Sequence, residues 1–214
     1  MQNVRLFFEK GNAVKYISHL DLNRAFARAI NRTSLPVWYT EGFNPHPFLV
    51  FSPPLSVGYI GENEIMDFKL NEQIHLNDII KKLNPTLPNG LRINKAFLPI
   101  NKISQVSFAQ YKVEIIDFFD IEKLNSIKSN KEITIIKKTK SKEKELDLKE
   151  FFNDIDFVKE ENCISFSVIL PCDGNLSINP SLIVETIKKY VSEQIKIKQV
   201  IRQRFFNEKK ELFL

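Results

Sequence analysis

Two histidines, His19 and His46, are the residues of this chain best suited to acid–base chemistry. His46 lies between Pro45 and Pro47, which keep the local backbone extended and exclude it from a central strand. Gly42 permits the positive φ that an entry turn needs. An imidazole held this rigidly suits recognition, proton transfer or metal ligation. The alternative is a tight turn whose imidazole hydrogen-bonds a carbonyl.

His19 directly follows Ser18, a residue typical of helix N-caps. The helix dipole disfavours imidazolium at this position and predicts a neutral ring, and helix N-termini also bind anions. Ser18, His19 and Arg24 would then form one phosphate-facing cluster, with His46 nearby if its loop folds back. In that arrangement His19 and His46 are the candidate catalytic residues, as general base and general acid.

Three arginines, Arg24, Arg28 and Arg32, follow one another at intervals of four residues on the helix that begins after Ser18. This spacing places them on one face, where like charges cost an isolated helix about 0.2–0.5 kcal/mol per pair. Asp21 can relieve Arg24. Unrelieved guanidinium groups are suited to phosphate recognition, because each can hold two oxygens. The alternatives are a solubilising helix face and ion pairs with the second half of the chain.

A second basic segment lies near the C-terminus, where residues 188–210 contain eight lysines and arginines but only two glutamates. Lys196, Lys198, Arg202 and Arg204 form its candidate anion-binding patch. A solvated helix and edge strand would show the same composition. In the proline-rich loop, Phe43 lies beside turn residues, where its ring could stack on a base. The alternative is that this ring packs in the core.

Composition narrows the remaining function classes. The chain has 214 residues, a net charge of +5 and a pI near 9.1, which is compatible with an anionic partner. Its two cysteines cannot supply a four-cysteine zinc site or iron–sulfur cluster, and we predict no metal site and no cofactor. No apolar run reaches the length of a membrane span, and residues 1–10 lack the apolar stretch of a signal peptide. We therefore expect a cytoplasmic protein without a membrane partner.

The hydrophobic spacing predicts the order β-α-β-β-α-β in each half of the chain. Leu76–Leu83 is predicted as a helix, and Phe48–Phe51 and Val57–Tyr59 as broken strand pieces. In the second half, a lysine-rich turn at Lys140–Lys144 precedes a helix that Pro180 begins. Two successive units of this kind predict an α+β fold of two tandem ferredoxin-like (split βαβ) halves with antiparallel sheets. The predicted halves are residues 1–103, which contain the dense motifs, and residues 104–214, which contain the basic segment.

The first sixty residues also show a family resemblance. The residues that carry it are Tyr16–Leu22, Arg24, Phe26, Arg28, Ala29, Leu35–Val37, Gly42–Pro47 and Pro54–Gly58. This pattern resembles the radical SAM-linked family of bacterial proteins, whose members occur alone or fused behind cobalamin-binding radical SAM modules. The chain lacks the three-cysteine motif of such a module and therefore resembles the standalone form. The resemblance implies a partner or substrate-presenting role beside a separate radical SAM enzyme.

The sequence thus favours a non-catalytic module that binds RNA or presents a substrate to a separate enzyme in tRNA or rRNA modification or maturation. The first alternative is a metal-independent RNA-cleaving enzyme that uses His19 and His46, with Arg24 stabilising the phosphorane charge. The second is a protein-interaction scaffold whose basic face meets an acidic partner.

Overall fold

The computed structural model describes residues 1–118, 120–138, 143–174 and 176–214. They form two compact units, one of Met1–Ser107 with Arg202–Leu214 and one of Phe108–Ile201. The division into domains 1–103 and 104–214 stays a prediction. The structure adds that the last thirteen residues, Arg202–Leu214, group with the first unit.

The first unit alternates strands with two amphipathic helices. In chain order, its elements within Met1–Ser107 are β1 (Gln2–Lys10), α1 (His19–Asn31), β2 (Leu49–Phe51), β3 (Ile60–Leu70), α2 (Leu76–Leu83) and β4 (Leu91–Phe97). β1 pairs antiparallel with both β3 and β4, and β2 pairs antiparallel with β3 on its other side. The strand order in this unit is therefore β4-β1-β3-β2.

The core of the first unit lies between its sheet and its helices. Leu22, Phe26 and Ile30 recur at helical spacing on α1 and are buried, as the sequence predicts. Phe26 packs edge-on against Phe8 of β1, with ring centroids 4.7 Å apart. Because these side chains are buried, the opposite face of α1, which carries the arginines, is turned towards solvent.

The second unit begins with β5 (Phe108–Ile116) and ends in a strand that passes into the first unit. The intervening elements are α3 (Ile121–Ser126), β6 (Thr134–Lys138), β7 (Glu143–Asp147), α4 (Lys149–Asn153), β8 (Val158–Lys159), β9 (Ile164–Pro171) and α5 (Pro180–Tyr190). The last strand, β10 (Lys196–Phe206), lies beside β5, which pairs antiparallel with β9, and β9 pairs antiparallel with β8. β6 and β7 form a separate antiparallel hairpin.

The predicted α+β class with a predominantly antiparallel sheet is confirmed. The finer description as two ferredoxin-like halves stays a prediction. Leu76–Leu83 is a helix and Pro180 begins one, both as predicted, whereas Val57–Tyr59 was wrongly predicted as a strand. Gly58 has φ +90° and makes a turn there. The turn predicted at Lys140–Lys144 lies outside the described residues at positions 140–142.

Candidate nucleic-acid interface

The first turn of α1 is fixed by its N-cap. The Ser18 hydroxyl accepts a hydrogen bond from the backbone N–H of Asp21 at 3.1 Å and donates one to Asp21 Oδ2 at 2.7 Å. The Ser18 hydroxyl, with a smaller contribution from Arg24, holds the pKa of Asp21 below its ordinary value despite partial desolvation. The predicted cap and the predicted Asp21–Arg24 pair are both present, since Arg24 lies 3.4 Å from Asp21 Oδ1.

The three arginines that were predicted to form one row differ in their contacts. Arg24 and Arg28 are exposed, and the Arg28 side chain makes no hydrogen bond or ion pair with the described residues. Arg32 caps the C-terminus of α1, and its guanidinium donates to the Thr86 carbonyl at 2.6 Å. This bond ties Arg32 to the turn that follows α2. Arg24 and Arg28 are therefore the pair that faces solvent together.

The loop that contains His46 is closed by hydrogen bonds between its two ends. The Thr40 backbone N–H donates to the His46 carbonyl at 2.9 Å, and the His46 N–H donates to the Thr40 hydroxyl at 3.2 Å. Gly42 adopts φ +125°, the left-handed conformation that the sequence predicts for the entry turn. Phe43 lies between these ends with its side chain fully exposed.

The imidazole of His46 is held by its own loop. Its Nδ1 lies 3.0 Å from the Asn44 carbonyl oxygen and 3.2 Å from the Thr40 hydroxyl. A carbonyl oxygen only accepts hydrogen bonds, so this contact requires the proton on Nδ1. In the neutral ring Nε2 is then an acceptor, and it has no hydrogen-bond partner among the described residues. The ring can therefore accept a hydrogen bond from a ligand at Nε2.

A hydrogen bond joins this loop to the arginine face of α1. Tyr39 Oη donates to Asn31 Oδ1 at 2.7 Å, at the base of the loop. Asn31 is seven residues after Arg24 and three after Arg28, so the three share one helix face. We call this the arginine–loop surface, and its members are Arg24, Arg28, Asn31, Tyr39, Phe43 and His46.

Two further aromatic rings and a lysine lie at the base of the loop. Trp38 and Phe48 pack edge-on with centroids 5.6 Å apart. The Lys69 ammonium lies 5.3 Å from the Trp38 centroid and 5.7 Å from that of Phe48. Sequence reasoning missed Lys69 as part of this region. The alternation along β3 could have placed it on the outer face, but not beside Trp38, because that contact depends on how the loop crosses the strand.

His19 occupies a different environment from His46. It is half-buried in the first turn of α1 and packs edge-on against Phe51, with centroids 5.5 Å apart. Burial lowers the pKa of His19, the Glu64 carboxylate opposes this shift and the Arg202 charge adds to it. The lowered pKa favours the neutral ring, and its main cause is burial rather than the helix dipole. No hydrogen bond joins His19 to His46 among the described residues, and their use as an acid–base pair stays a prediction.

The predicted basic patch near the C-terminus needs correction, because most of its cations are paired with carboxylates. In the second unit, Lys196 lies 2.9 Å from Asp117 and Lys198 lies 3.2 Å from Glu114. Arg202 is buried, and its Nε donates to Glu64 Oε1 at 2.8 Å, so it is not a surface group. Arg204 is exposed and makes no ion pair with the described residues.

Within residues 1–118, 120–138, 143–174 and 176–214, no group of three or more histidine, cysteine or acidic side chains is placed to hold a metal ion. Cys163 and Cys172 are both buried and are not joined in a disulfide. In the same part of the chain, no helix has both the length and the apolar character needed to cross a bilayer.

Comparison with known proteins gives a family and a distant structural likeness. No curated protein matches the chain. A chain from the "Crystal Structure of a Cbf5-Nop10-Gar1 Complex" is 13% identical with a TM-score of 0.45, and the match covers 75% of this chain and 42% of that one. That likeness is too low to carry a structural or functional argument. The family described as "Uncharacterized protein conserved in bacteria (DUF2344)" matches residues 3–203, so the chain belongs to this family.

Proposed function

We propose that the protein is a non-catalytic, cytoplasmic accessory module that binds RNA through the arginine–loop surface and presents it to a separate enzyme. The RNA class is tRNA or rRNA, and the process is modification or maturation. The observation that carries the proposal is the 2.7 Å hydrogen bond from Tyr39 to Asn31, because it attaches the loop of Phe43 and His46 beside Arg24 and Arg28.

Each group on this surface matches one part of a single-stranded RNA. The two exposed guanidinium groups suit phosphate oxygens, and Arg28 has no carboxylate partner among the described residues to displace. The fully exposed Phe43 ring offers a face on which a base can stack, a contact worth about 1–3 kcal/mol. His46 Nε2 can accept a hydrogen bond from a base edge. Asp21 and Glu41 are acidic neighbours that limit how closely a phosphate can approach.

The proposed partner is a separate radical SAM enzyme, as the resemblance over residues 4–60 implies. We also infer that each unit is a split βαβ module of the ferredoxin-like kind. The orders β4-β1-β3-β2 in the first unit and β10-β5-β9-β8 in the second support this inference, since both place a strand between the two that a helix connects.

A salt titration with tRNA tests the RNA-binding proposal. The logarithm of the wild-type binding constant should fall linearly with the logarithm of salt concentration, because phosphate binding releases counterions. The double variant Arg24→Gln/Arg28→Gln should bind roughly tenfold or more weakly at low salt, and its salt slope should be smaller by about 2. Filter binding at several salt concentrations measures both quantities.

The matched control is Arg92→Gln/Lys82→Gln, which removes the same charge from exposed positions on β4 and α2. It should retain most of the affinity. Equal losses in the two double variants would show that only net charge matters and would contradict the assigned surface. If Arg28→Glu abolishes a protein complex but leaves RNA retention unchanged, the scaffold alternative is the correct one.

A further inference from the structure

A small cavity lies below the first turn of α1, outside the arginine–loop surface. The residues that line it include Lys10, His19, Phe51, Ser52 and Glu64. The cavity volume is about 10 Å³, which holds one oxygen-sized group. Three of these side chains, Lys10, Ser52 and Glu64, are almost fully buried.

The charges around the cavity do not balance. The Arg202 guanidinium binds both carboxylate oxygens of Glu64, so this carboxylate already neutralises one cation. The Lys10 ammonium donates to the Lys15 carbonyl at 2.9 Å, and this is its one hydrogen bond to the described residues. Two of its three N–H groups therefore have no acceptor among the residues that the structure describes. A buried cation without its own counter-ion is costly, and a bound anion would relieve that cost.

The cavity lining also contains hydrogen-bond donors. His19, the first residue of the thirteen-residue helix α1, lines the cavity, and its backbone N–H has no partner within the helix. The Ser52 hydroxyl accepts a hydrogen bond from the Ile65 N–H at 3.4 Å, which leaves its proton free to donate. The Glu64 carboxylate also lines the cavity and opposes an anion, but one carboxylate is shared between two cations, Lys10 and Arg202, so the net charge favours a negative ligand.

We propose that this cavity binds one terminal oxygen of a small oxyanion, a carboxylate or a phosphate, with Lys10 as its counter-ion and the first turn of α1 as its second donor. The group enters beside His19. This site is separate from the proposed RNA surface, and its test uses no RNA, so that the two proposals fail independently.

Titration of the isotopically labelled full-length chain with sodium phosphate and, separately, sodium acetate tests the site at constant ionic strength. The expected result is a saturable shift of the backbone amide resonances of His19 and Leu20 with at least one of the two anions. Saturation by phosphate alone, by acetate alone or by both identifies the class of oxyanion. Saturation by neither anion overturns the proposal and needs no variant.

Lys10→Met then removes the counter-ion and should weaken binding about tenfold or more. Lys81→Met, an exposed lysine on α2, is the matched control and should bind as the wild type does. Equal weakening in both variants would overturn the role of Lys10. If Lys10→Met does not fold, the resonance of the Lys10 side-chain ammonium in the wild type replaces it, and an unchanged resonance at saturation excludes contact with the anion.

Discussion

The Glu64 side chain fills the space beside Gly61 that any larger residue would need. A Cβ atom at Gly61 would lie 2.5 Å from both Cγ and Oε1 of Glu64, closer than real Cβ contacts. The absence of a side chain at Gly61 therefore lets the carboxylate reach Arg202. Gly61 lies in β3 opposite Lys10 of β1. The need for a glycine at this position therefore follows from the place that the Glu64 side chain occupies in the first unit.

Gly61→Ala should destabilise the protein strongly, because it displaces Glu64 and leaves Arg202 buried without its counter-ion. Breaking a buried pair in this way costs about 3–5 kcal/mol in the free energy of unfolding. Denaturant unfolding monitored by circular dichroism measures the loss. Gly174→Ala is the control, since nothing lies within 4 Å of its Cβ position, and it should change the stability by less than about 1 kcal/mol. Similar losses in both variants would contradict the contact.

Removing one or both members of the Glu64–Arg202 pair should give very different results. Arg202→Met alone leaves a buried carboxylate and should cost about 3–5 kcal/mol, whereas Glu64→Met/Arg202→Met should be much less destabilising. A double-mutant cycle on unfolding free energies measures the coupling. Additive losses would show that the two groups do not interact in solution.

Glu160 should make the stability of the second unit depend on pH in the acid range. Hydrogen bonds, first from the Ser165 hydroxyl at 2.6 Å and then from Lys112 at 3.0 Å, lower the pKa of Glu160 from 4.5 to about 2. A lowered pKa in the folded state gives stability that is present above pH 4.5 and is lost as the pH falls towards 2.

Glu160→Gln should therefore flatten the change in unfolding free energy between pH 4.5 and 2 relative to the wild type. Urea unfolding at a series of pH values checks this difference. Glu161→Gln, at an exposed neighbouring residue that makes no hydrogen bond with the described residues, should retain the wild-type slope. A wild-type slope in Glu160→Gln would mean that its hydrogen bonds do not persist in solution.

Tyr39→Phe should weaken RNA binding without unfolding the protein. It removes the hydroxyl that ties the loop to Asn31, so the loop must be ordered on binding, and we expect an affinity loss of roughly threefold to tenfold. Filter binding and a thermal melt measure the two effects separately. Tyr16→Phe is the control, because Tyr16 is 72% exposed and its hydroxyl makes no hydrogen bond with the described residues. Unchanged affinity in Tyr39→Phe would show that the attachment of the loop to α1 does not contribute to RNA binding.

RNA incubated with the protein in the presence of EDTA should remain intact. Acid–base partners need hydrogen-bond reach of the same reacting atoms, and His19 and His46 share no hydrogen-bond partner among the described residues. Gel electrophoresis of end-labelled tRNA over several hours detects cleavage. Cleavage that disappears in both His19→Ala and His46→Ala would establish the enzymatic alternative.

The start of α1 and its buried face were predicted correctly, because residues close together in the sequence determine both. Ser18 caps α1, and the spacing of Leu22, Phe26 and Ile30 predicted which face it buries. The short elements α4 and β8 were not predicted, because five and two residues are too few for a periodic pattern. The sequence around Gly58 also did not distinguish a strand from a turn. The positive φ of this glycine, seen only in the structure, decides for a turn.

The charges of the candidate site were predicted less well, because their partners are distant in sequence. Arg202 lies 138 residues from Glu64, and nothing around Arg202 distinguishes a buried arginine from the exposed Arg204. Arg28, by contrast, is exposed as its helical spacing predicted, because that position is decided locally. The exposure of Phe43 did not follow from the sequence, which left core packing open for this ring.

Because Arg202–Leu214 group with the first unit, that unit cannot be completed from the first 107 residues. During synthesis, Glu64 emerges from the ribosome long before its cationic partner and must wait for the whole second unit to be made. The nascent first unit therefore lacks the guanidinium that binds both oxygens of Glu64 throughout that interval. A fragment ending at residue 107 would retain the same defect permanently, whereas a circular permutant that joins 202–214 to the N-terminus would supply the missing cation early.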